Sequence, residues 1–353
     1  MKKITLITLL VVACVAAFGQ DGIRFESLTF KEALAKAKCE KKLVFLDCYT
    51  SWCGPCKAMA DEIFPLKKAG DYFNPRFVSI KLDMEKGEGI ELDKKLEIAG
   101  YPTFFIFTPN GHMQHKIMGG SPNIEVFINR IEKGMKKETS YGYLRDLYEA
   151  GKINKKQLIN YKLALMDAFE TRRLGEVDYL IDSLLTAEDK LGKEYWPIMK
   201  GYGSDDFKFV VNNLSKFRKR IGKQDVNRYL FNNFHAAIFK ALDYDSKANR
   251  KKLEQIHEEL QVLDLPHKEV LITEIEIAEV MRNENVPALV QALKKYSEYD
   301  NIDFELIFSM IRSIPLEEGR ELIALYEPLL KKCPEEQRGY LNFLFEKLRE
   351  SLK

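Results

Sequence analysis

Two kinds of hydrophobic pattern alternate along the first third of the chain. Short, largely apolar runs at residues 43–46, 77–82 and 103–107 predict strands that are buried on both faces of a sheet. Apolar residues spaced three and four apart at residues 28–38 and 124–135 predict amphipathic helices. Strands that alternate with helices in this way are typical of an α/β fold, in which a central mixed sheet carries helices on both faces.

From residue 139 onwards the helical pattern continues without a convincing strand. Leucine, isoleucine and aromatic residues recur at helical spacing between glycine and proline breakers. We therefore expect two domains, an α/β domain at residues 20–138 and an all-helical domain at residues 139–353. Paired helices of this length resemble a tetratricopeptide-like solenoid of helical hairpins, although the sequence shows no strict repeat of about 34 residues.

The first nineteen residues have the composition of a secretory signal peptide. Lys2 and Lys3 precede an apolar segment that is too short to span a bilayer comfortably, and small residues before Gln20 suit cleavage there. A lipoprotein signal with its anchor at Cys14 is the alternative, but the residues after Cys14 stay apolar. The pattern predicts a periplasmic or secreted protein.

The charge balance argues against nucleic acid as a partner. The chain has 55 lysine and arginine residues against 53 aspartate and glutamate residues, a formal net charge of +2. The two lysines of the predicted signal account for this excess. A balanced chain has no long-range field that would gather phosphate backbones.

Cysteine usage points to redox chemistry. Five of the six cysteines follow the predicted signal, and this odd number excludes a framework in which every cysteine is paired. Cys53 and Cys56 enclose Gly54 and Pro55 where a predicted strand gives way to a predicted helix. Unpaired N–H groups at a helix start favour a thiolate on Cys53, which is the form that attacks a disulfide. The sulfur of Cys56 lies one helical turn away, within bonding reach.

A zinc site is the alternative interpretation of such a pair. It would need a second pair of ligands at compatible spacing, which Cys39, Cys48, His112 and His115 do not provide. No glycine-rich nucleotide motif follows a strand either, so we expect neither a metal nor a cofactor. Cys39 and Cys48 are interpreted as buried structural thiols, with a disulfide between them as the alternative, and Cys333 as an inert thiol at a helix end.

Two segments resemble the thioredoxin family. The segment VFLDCYTSWCGPCK at residues 44–57 looks like the active-site strand and helix of thioredoxin, and GYPTFF at residues 100–105 looks like the family's cis-proline loop. The resemblance covers about residues 22–137. The run DMEKGEG at residues 83–89 is similar to one in secreted thioredoxin-like domains of Bacteroidetes-type bacteria. The resemblance implies the thioredoxin fold and thiol–disulfide exchange.

The resemblance also implies a role for individual residues. Cys53 matches the exposed nucleophile, and Cys56 matches the buried thiol that resolves the mixed disulfide. Asp47 matches a buried acid that relays the proton of Cys56. Lys81 matches the lysine beside that acid, although a solvated lysine at a strand end fits as well. The groove for an extended substrate is expected at Trp52, Gly54, Pro55, Tyr101, Pro102 and Gly119, with Pro102 in the cis form and with scaffold roles for Trp52 and Gly119 as the alternative.

Two classes of function follow from these observations. The first is a thiol–disulfide oxidoreductase of the cell envelope that reduces protein disulfides, because the Gly-Pro dipeptide resembles that of reducing thioredoxins. A disulfide oxidase or isomerase is its alternative. Since a reductase outside the cytoplasm needs electrons, the resemblance implies a membrane electron-delivery partner. The second class is a helical-repeat protein that binds an unidentified partner protein and carries an accessory thioredoxin domain.

Overall fold

The computed structural model describes residues 22–242, 247–283 and 285–352. The chain divides into two units, residues 1–198 and 199–353. The predicted secretory signal, with Cys14, lies outside the described residues. In the described ranges, no helix has the length and apolar character needed to cross a membrane.

A four-stranded mixed sheet forms the centre of the first unit. Its strands are β1 (Leu43–Tyr49), β2 (Phe77–Asp83), β3 (Thr103–Phe107) and β4 (Met113–Met118), in the order β2-β1-β3-β4. β1 runs parallel to β2 and antiparallel to β3, and β4 runs antiparallel to β3. The predicted mixed sheet is confirmed. β1 lies inside the sheet because its run of apolar residues can be covered on both faces.

Helices cover both faces of this sheet, as the pattern predicts. α1 begins at Phe30 because the Thr29 side chain accepts from the Glu32 N–H while the Glu32 carboxylate accepts from the Thr29 N–H. A further helix, α3, was not predicted from the sequence. The helices that accompany the sheet are α1 (Phe30–Glu40), α2 (Gly54–Ala58), α3 (Lys67–Phe73), α4 (Gly89–Leu96) and α5 (Ile124–Gly134), and α2 runs on into a π-helical turn at Met59–Ile63.

Alternate residues of β1 pack into two separate cores. Phe45 faces a cluster of aromatic rings that lies under α3 and α5. Its ring stacks on Phe104 with 5.8 Å between centroids, and Phe104 meets Phe127 edge to face at 5.0 Å. Val44 and Leu46 point to the opposite core, formed with α1 and α4. β1 is thereby packed on both faces, which fixes the position of its C-terminal end, just before Cys53.

The edge strand β4 is covered by helices that follow the predicted domain boundary at residue 138. α6 (Tyr141–Glu149) and α7 (Lys155–Asp167) pack against it, and α8 (Thr171–Leu184), α9 (Ala187–Lys190) and a 3₁₀ turn (Trp196–Ile198) complete the unit. A Cβ atom on Gly142 would lie 2.0 Å from the carbonyl oxygen of Met113, so α6 approaches as closely as glycine allows. The first unit therefore extends past the predicted boundary to residue 198. Independent folding of residues 20–138 stays a prediction.

The described residues of the second unit form helices joined by loops and contain no strand, which confirms the predicted helical class for this part of the chain. One core cluster brings together residues of α14, α15, α16 and α18. The solenoid arrangement stays a prediction. The helices are α10 (Asp205–Asn212), α11 (Leu214–Arg220), α12 (Lys223–Leu242), α13 (Lys247–Val262), α14 (Lys268–Arg282), α15 (Val286–Glu298), α16 (Phe304–Ser313), α17 (Tyr326–Lys332) and α18 (Glu335–Ser351), with a 3₁₀ segment at Leu316–Leu325.

Candidate active site

Cys53 and Cys56 lie where β1 gives way to α2. Cys53 occupies the N-cap position of α2, and the two cysteines are joined by a disulfide with 5.3 Å between their Cα atoms. Pro55 stands in the first turn, where its missing N–H leaves no hydrogen bond unmade. The backbone N–H of Cys56 donates to the sulfur of Cys53 at 3.1 Å. Once the bond is reduced, this donor stabilises a thiolate on Cys53.

The two cysteines are about equally buried in the disulfide form. Cys53 is 3% exposed and Cys56 is 7% exposed. The predicted contrast between an exposed Cys53 and a buried Cys56 is therefore wrong for this state of the protein. The reason is local, because the Cys53 sulfur is bonded to Cys56 and faces the Cys56 N–H.

Trp52 and Tyr101 form one wall beside the disulfide. The Trp52 side chain is 66% exposed, and its Nε1–H donates to the carboxylate of Glu85 at 2.9 Å. Its ring meets that of Tyr101 edge to face, with 6.1 Å between centroids. The Tyr101 hydroxyl donates in turn to the carboxylate of Asp93. Two hydrogen bonds to acids thus hold the exposed Trp52 and the partly buried Tyr101 in place.

The loop that carries Pro102 completes the groove. The Tyr101–Pro102 peptide bond is cis, as predicted. The carbonyl oxygen of Pro102 accepts a 2.8 Å hydrogen bond from the N–H of Gly119, whose φ of +84° suits glycine. A Cβ atom on Gly120 would lie 3.9 Å from the Cβ of Pro55. These contacts link Trp52 to Tyr101, Pro102 to Gly119, and the Gly119–Gly120 turn to Pro55 between the two cysteines.

Arg130 of α5 holds the Gly119–Gly120 turn. One of its terminal nitrogens donates to the carbonyl oxygens of Gly119 and Gly120 at 3.0 and 3.1 Å, and the other donates to that of Met118 at 2.6 Å. Its Nε–H donates to Asp167 of α7 at 2.8 Å. Neither Arg130 nor Asp167 was predicted from the sequence. Nothing in the sequence pairs two charged residues that lie 37 positions apart.

Asp47 is the buried acid that the resemblance implies. It is 5% exposed, and its Oδ1 atom has no hydrogen-bond partner. Burial raises the pKa of this carboxyl from 3.8 to about 7, while the charge of Lys81 opposes the shift. A cavity of about 190 Å³ joins Asp47 to Thr50, Cys56 and Lys81. A space of this size can hold water between the acid and the Cys56 sulfur.

Lys81 pairs with Asp47 across the parallel strands β1 and β2. Its side chain is exposed and makes no hydrogen bond to the Oδ1 atom of Asp47, but its charge lowers the pKa of that carboxyl. Its ammonium group lies 5.7 Å from the centre of the Phe25 ring. Lys81 therefore acts on Asp47 through its field, and its catalytic role stays a prediction.

The remaining described cysteines are free thiols. Cys48 is buried, which raises the pKa of its thiol well above 9.0. Cys333 is also buried and caps the C-terminus of α17, where it was predicted. Cys39 is exposed, contrary to the prediction, because α1 turns Ala33 and Ala37 inwards and Cys39 away from them. No group of three metal-ligating side chains occurs among the described residues.

Alkylation tests which thiol attacks. With the disulfide intact, iodoacetamide near neutral pH is expected to label the exposed Cys39 and to spare the buried Cys48 and Cys333. After reduction, Cys53 is expected to react before Cys56, because the Cys56 N–H stabilises the Cys53 thiolate. Mass mapping over time measures both rates. Faster labelling of Cys56 would reverse the assignment of the nucleophile.

Comparison with known proteins places this site in a family. The thioredoxin family profile matches residues 23–133. A thioredoxin of Alternaria alternata is 32% identical over 92 residues, which are 26% of this chain and 72% of that protein. Mitochondrial thioredoxin-3 of Saccharomyces cerevisiae is 35% identical over 99 residues, which are 28% of this chain and 67% of that protein.

A solved structure also matches about a third of this chain. A protein of Bacteroides thetaiotaomicron is 41% identical, and the match covers 33% of this chain and 97% of that one with a TM-score of 0.31. The region matched by the family profile contains the Cys53–Cys56 disulfide, Asp47 and the cis bond before Pro102. On the curated relatives and the profile together, the chain belongs to the thioredoxin family.

Proposed function

We propose that this protein is a thiol–disulfide oxidoreductase of the bacterial cell envelope that reduces protein disulfides. The observation that carries the proposal is the Cys53–Cys56 disulfide at the start of a helix, next to a cavity that also contains Asp47. A domain with only a structural role needs neither the paired thiols nor an ionisable carboxyl buried without a partner.

Reduction proceeds by two exchanges. The Cys53 thiolate attacks one sulfur of the client disulfide, which forms a mixed disulfide and releases the other client sulfur as a thiolate. The Cys56 thiolate then attacks the Cys53 sulfur, which closes the Cys53–Cys56 disulfide and releases the second client thiolate. Two electrons pass from the dithiol to the client. The 5.3 Å between the two Cα atoms suits this closure.

Asp47 is proposed to accept the proton that Cys56 loses in the second exchange. Cys56 is a thiol until it attacks, so its proton must leave before or during attack. With a pKa of about 7, Asp47 can accept that proton near neutral pH and pass it to the leaving client thiolate. Water in the shared cavity of about 190 Å³ is the proposed path.

The groove is proposed to hold the client as an extended strand. Trp52 adjoins Cys53 and contacts Tyr101, and the neighbouring Pro102 is bonded to the Gly119 turn. Backbone groups beside an exposed strand end can pair with an added extended segment, independently of its sequence. This arrangement fits an enzyme that acts on many protein disulfides.

The residues around Cys53 and Cys56 support the proposal that the pair acts as a reductant. Gly54 and Pro55 add neither a positive charge nor a side-chain donor that would stabilise the Cys53 thiolate strongly. The negative charge of Asp47 opposes a second negative charge nearby. Both effects limit the stability of the reduced dithiol, which makes it a better electron donor. The electrons are proposed to come from a membrane partner of the dithiol-delivering class.

The envelope location is supported by residues 1–19 alone. Their lysines, apolar segment and small residues before Gln20 are those of a secretory signal. Retention through a lipid anchor at Cys14 is the alternative form of the same proposal.

Insulin reduction tests the activity. With dithiothreitol as electron source, the protein is expected to accelerate precipitation of the insulin B chain. The Cys39→Ser variant is the matched control, because Cys39 is exposed and lies outside the site. It should retain the full rate. An unaccelerated reaction with wild type, or a loss of the activity in Cys39→Ser, would contradict the proposal.

A further inference from the structure

The loop between α7 and α8 is fixed to the sheet at two points. Asp167 accepts from the Nε–H of Arg130 at 2.8 Å, and Glu170 accepts from the ammonium group of Lys116 at 2.6 Å. The Lys116 side chain is only 3% exposed, so the second ion pair is well shielded from water. The loop is thereby held rigidly beside the end of β4.

Phe169 lies between these two anchors in an unfavourable backbone conformation. It follows the C-cap of α7 with a φ of +58°, the left-handed region where a glycine ordinarily ends a helix. A backbone hydrogen bond typical of such a helix C-terminus is present: the N–H of Glu170 donates to the carbonyl oxygen of Leu165 at 3.0 Å. A bulky aromatic residue at this position costs free energy in the folded state.

Packing of the Phe169 ring does not offset this cost. The side chain is 59% exposed, and Met166 one turn earlier is 46% exposed. A glycine would end the helix with less strain and would leave less apolar surface in water. Backbone strain of this kind is found most often at binding sites and active sites, and here it coincides with exposed apolar side chains.

The same anchor connects this surface to the groove. The guanidinium group of Arg130 that bonds to Asp167 also bonds to the carbonyl oxygens of Gly119 and Gly120. Phe169 is two residues beyond Asp167, so the loop that carries it is tied through Arg130 to the Gly119 turn. Trp52, 66% exposed, stands with Tyr101 on another side.

We propose that Phe169 and Met166 extend the client groove and bind an apolar side chain of the client polypeptide near its disulfide. The inference rests on the proposed function. The occupant is an extended polypeptide segment, because the surface continues the groove in which such a segment would lie. Its contacting side chain is apolar, because the two acids of the loop are already paired with Arg130 and Lys116. The first helices after the sheet thus take part in selecting clients.

Kinetics of Phe169→Gly on two disulfides test the inference. The variant removes the ring and relieves the positive φ, so its melting temperature should equal or exceed that of wild type. We expect the KM for insulin to rise about tenfold with little change in kcat, from the loss of apolar contact. Reduction of 5,5′-dithiobis(2-nitrobenzoate), which is too small to span the groove, should be unchanged. Phe169→Tyr should keep the wild-type KM.

Tyr179→Ala is the matched control, since Tyr179 of α8 is 80% exposed and belongs to no part of the groove. It should leave both reactions unchanged. An unaltered insulin KM in Phe169→Gly, or an equal loss on both disulfides, would overturn the inference while the proposed function stands. A wild-type protein that reduces neither disulfide would overturn the function and the inference together.

Discussion

Replacing Cys56 with serine is expected to stop turnover and to leave clients covalently attached to the protein. Cys53 can still attack a client disulfide, but no second thiol is present to attack the mixed disulfide. Turnover should fall by at least about a thousandfold, since removal of one member of a reacting pair disables the pair. The Cys53→Ser variant should lose turnover to the same extent and trap nothing.

Gel electrophoresis without reducing agent measures the difference between the two variants. Cys56→Ser should give high-mass bands that disappear on reduction, and Cys53→Ser should give none. Cys39→Ser serves as the control, with wild-type turnover and no trapped client. Equal trapping by both single variants would show that another thiol attacks, and the exposed Cys39 would be the first to consider.

Replacing Asp47 with asparagine is expected to stabilise the oxidised protein at pH 8 and to leave it almost unchanged at pH 4. Burial raises the pKa of Asp47 from 3.8 to about 7 in the folded state. Between these values the folded protein keeps a proton that the unfolded chain has released, so stability falls as pH rises. The full difference above pH 7 corresponds to about 4 kcal/mol as an upper value. Asparagine carries no charge and avoids this cost.

Urea unfolding followed by tryptophan fluorescence measures the effect. Both tryptophans, Trp52 and Trp196, lie in the first unit, so the signal reports on the unit that contains Asp47. Asp71→Asn is the control, because Asp71 forms an exposed pair with Lys67 and should change stability by less than about 1 kcal/mol. An advantage of Asp47→Asn that is the same at pH 4 and pH 8 would show that Asp47 ionises normally.

The same substitution is expected to slow the second exchange. In wild type, turnover should rise through about pH 7 as Asp47 loses its proton and becomes able to accept that of Cys56. Asp47→Asn should lose this inflection while retaining the fold. If its rate and pH profile match those of wild type, Asp47 is only a core residue.

The sheet and the reactive pair could be predicted from the sequence because their signals are local. The runs that contain Phe45 and Phe104 are apolar over several successive residues, as strands covered on both faces must be. The positions of the Cys53 and Cys56 sulfurs could be predicted locally, because a helix start and a spacing of two intervening residues suffice to place both sulfurs. The cis bond at Pro102 followed from resemblance and is confirmed.

Contacts between distant segments could not be predicted in this way. Arg130 looks like an ordinary solvated helix residue, and only folding brings it to both Gly119 and Asp167. Lys116 gave no sign that it would be buried, because its partner Glu170 lies 54 residues away. The packing of α6 and α7 on β4 could not be predicted either. Helical periodicity predicts that a helix forms, but it does not specify the surface on which the helix packs.

The short helix α3 was missed for a different reason. Within Lys67–Phe73, the residues that become buried include Ala69 and Gly70, which give little hydrophobic signal. Gly70 also lowers helix propensity. Packing of Phe73 into the aromatic core stabilises this helix, since its local helix propensity is low.

The reduction potential of the Cys53–Cys56 pair decides whether this pair reduces client disulfides. Equilibration of the protein with defined ratios of reduced and oxidised glutathione, followed by quantification of free Cys53 and Cys56, gives the value. We expect a potential near the thioredoxin value of about −270 mV, since Gly54 and Pro55 stabilise the Cys53 thiolate only moderately and Asp47 opposes added negative charge. A potential above about −180 mV, towards the roughly −120 mV of a strong periplasmic oxidant, would contradict the reductase and favour disulfide formation or isomerisation instead.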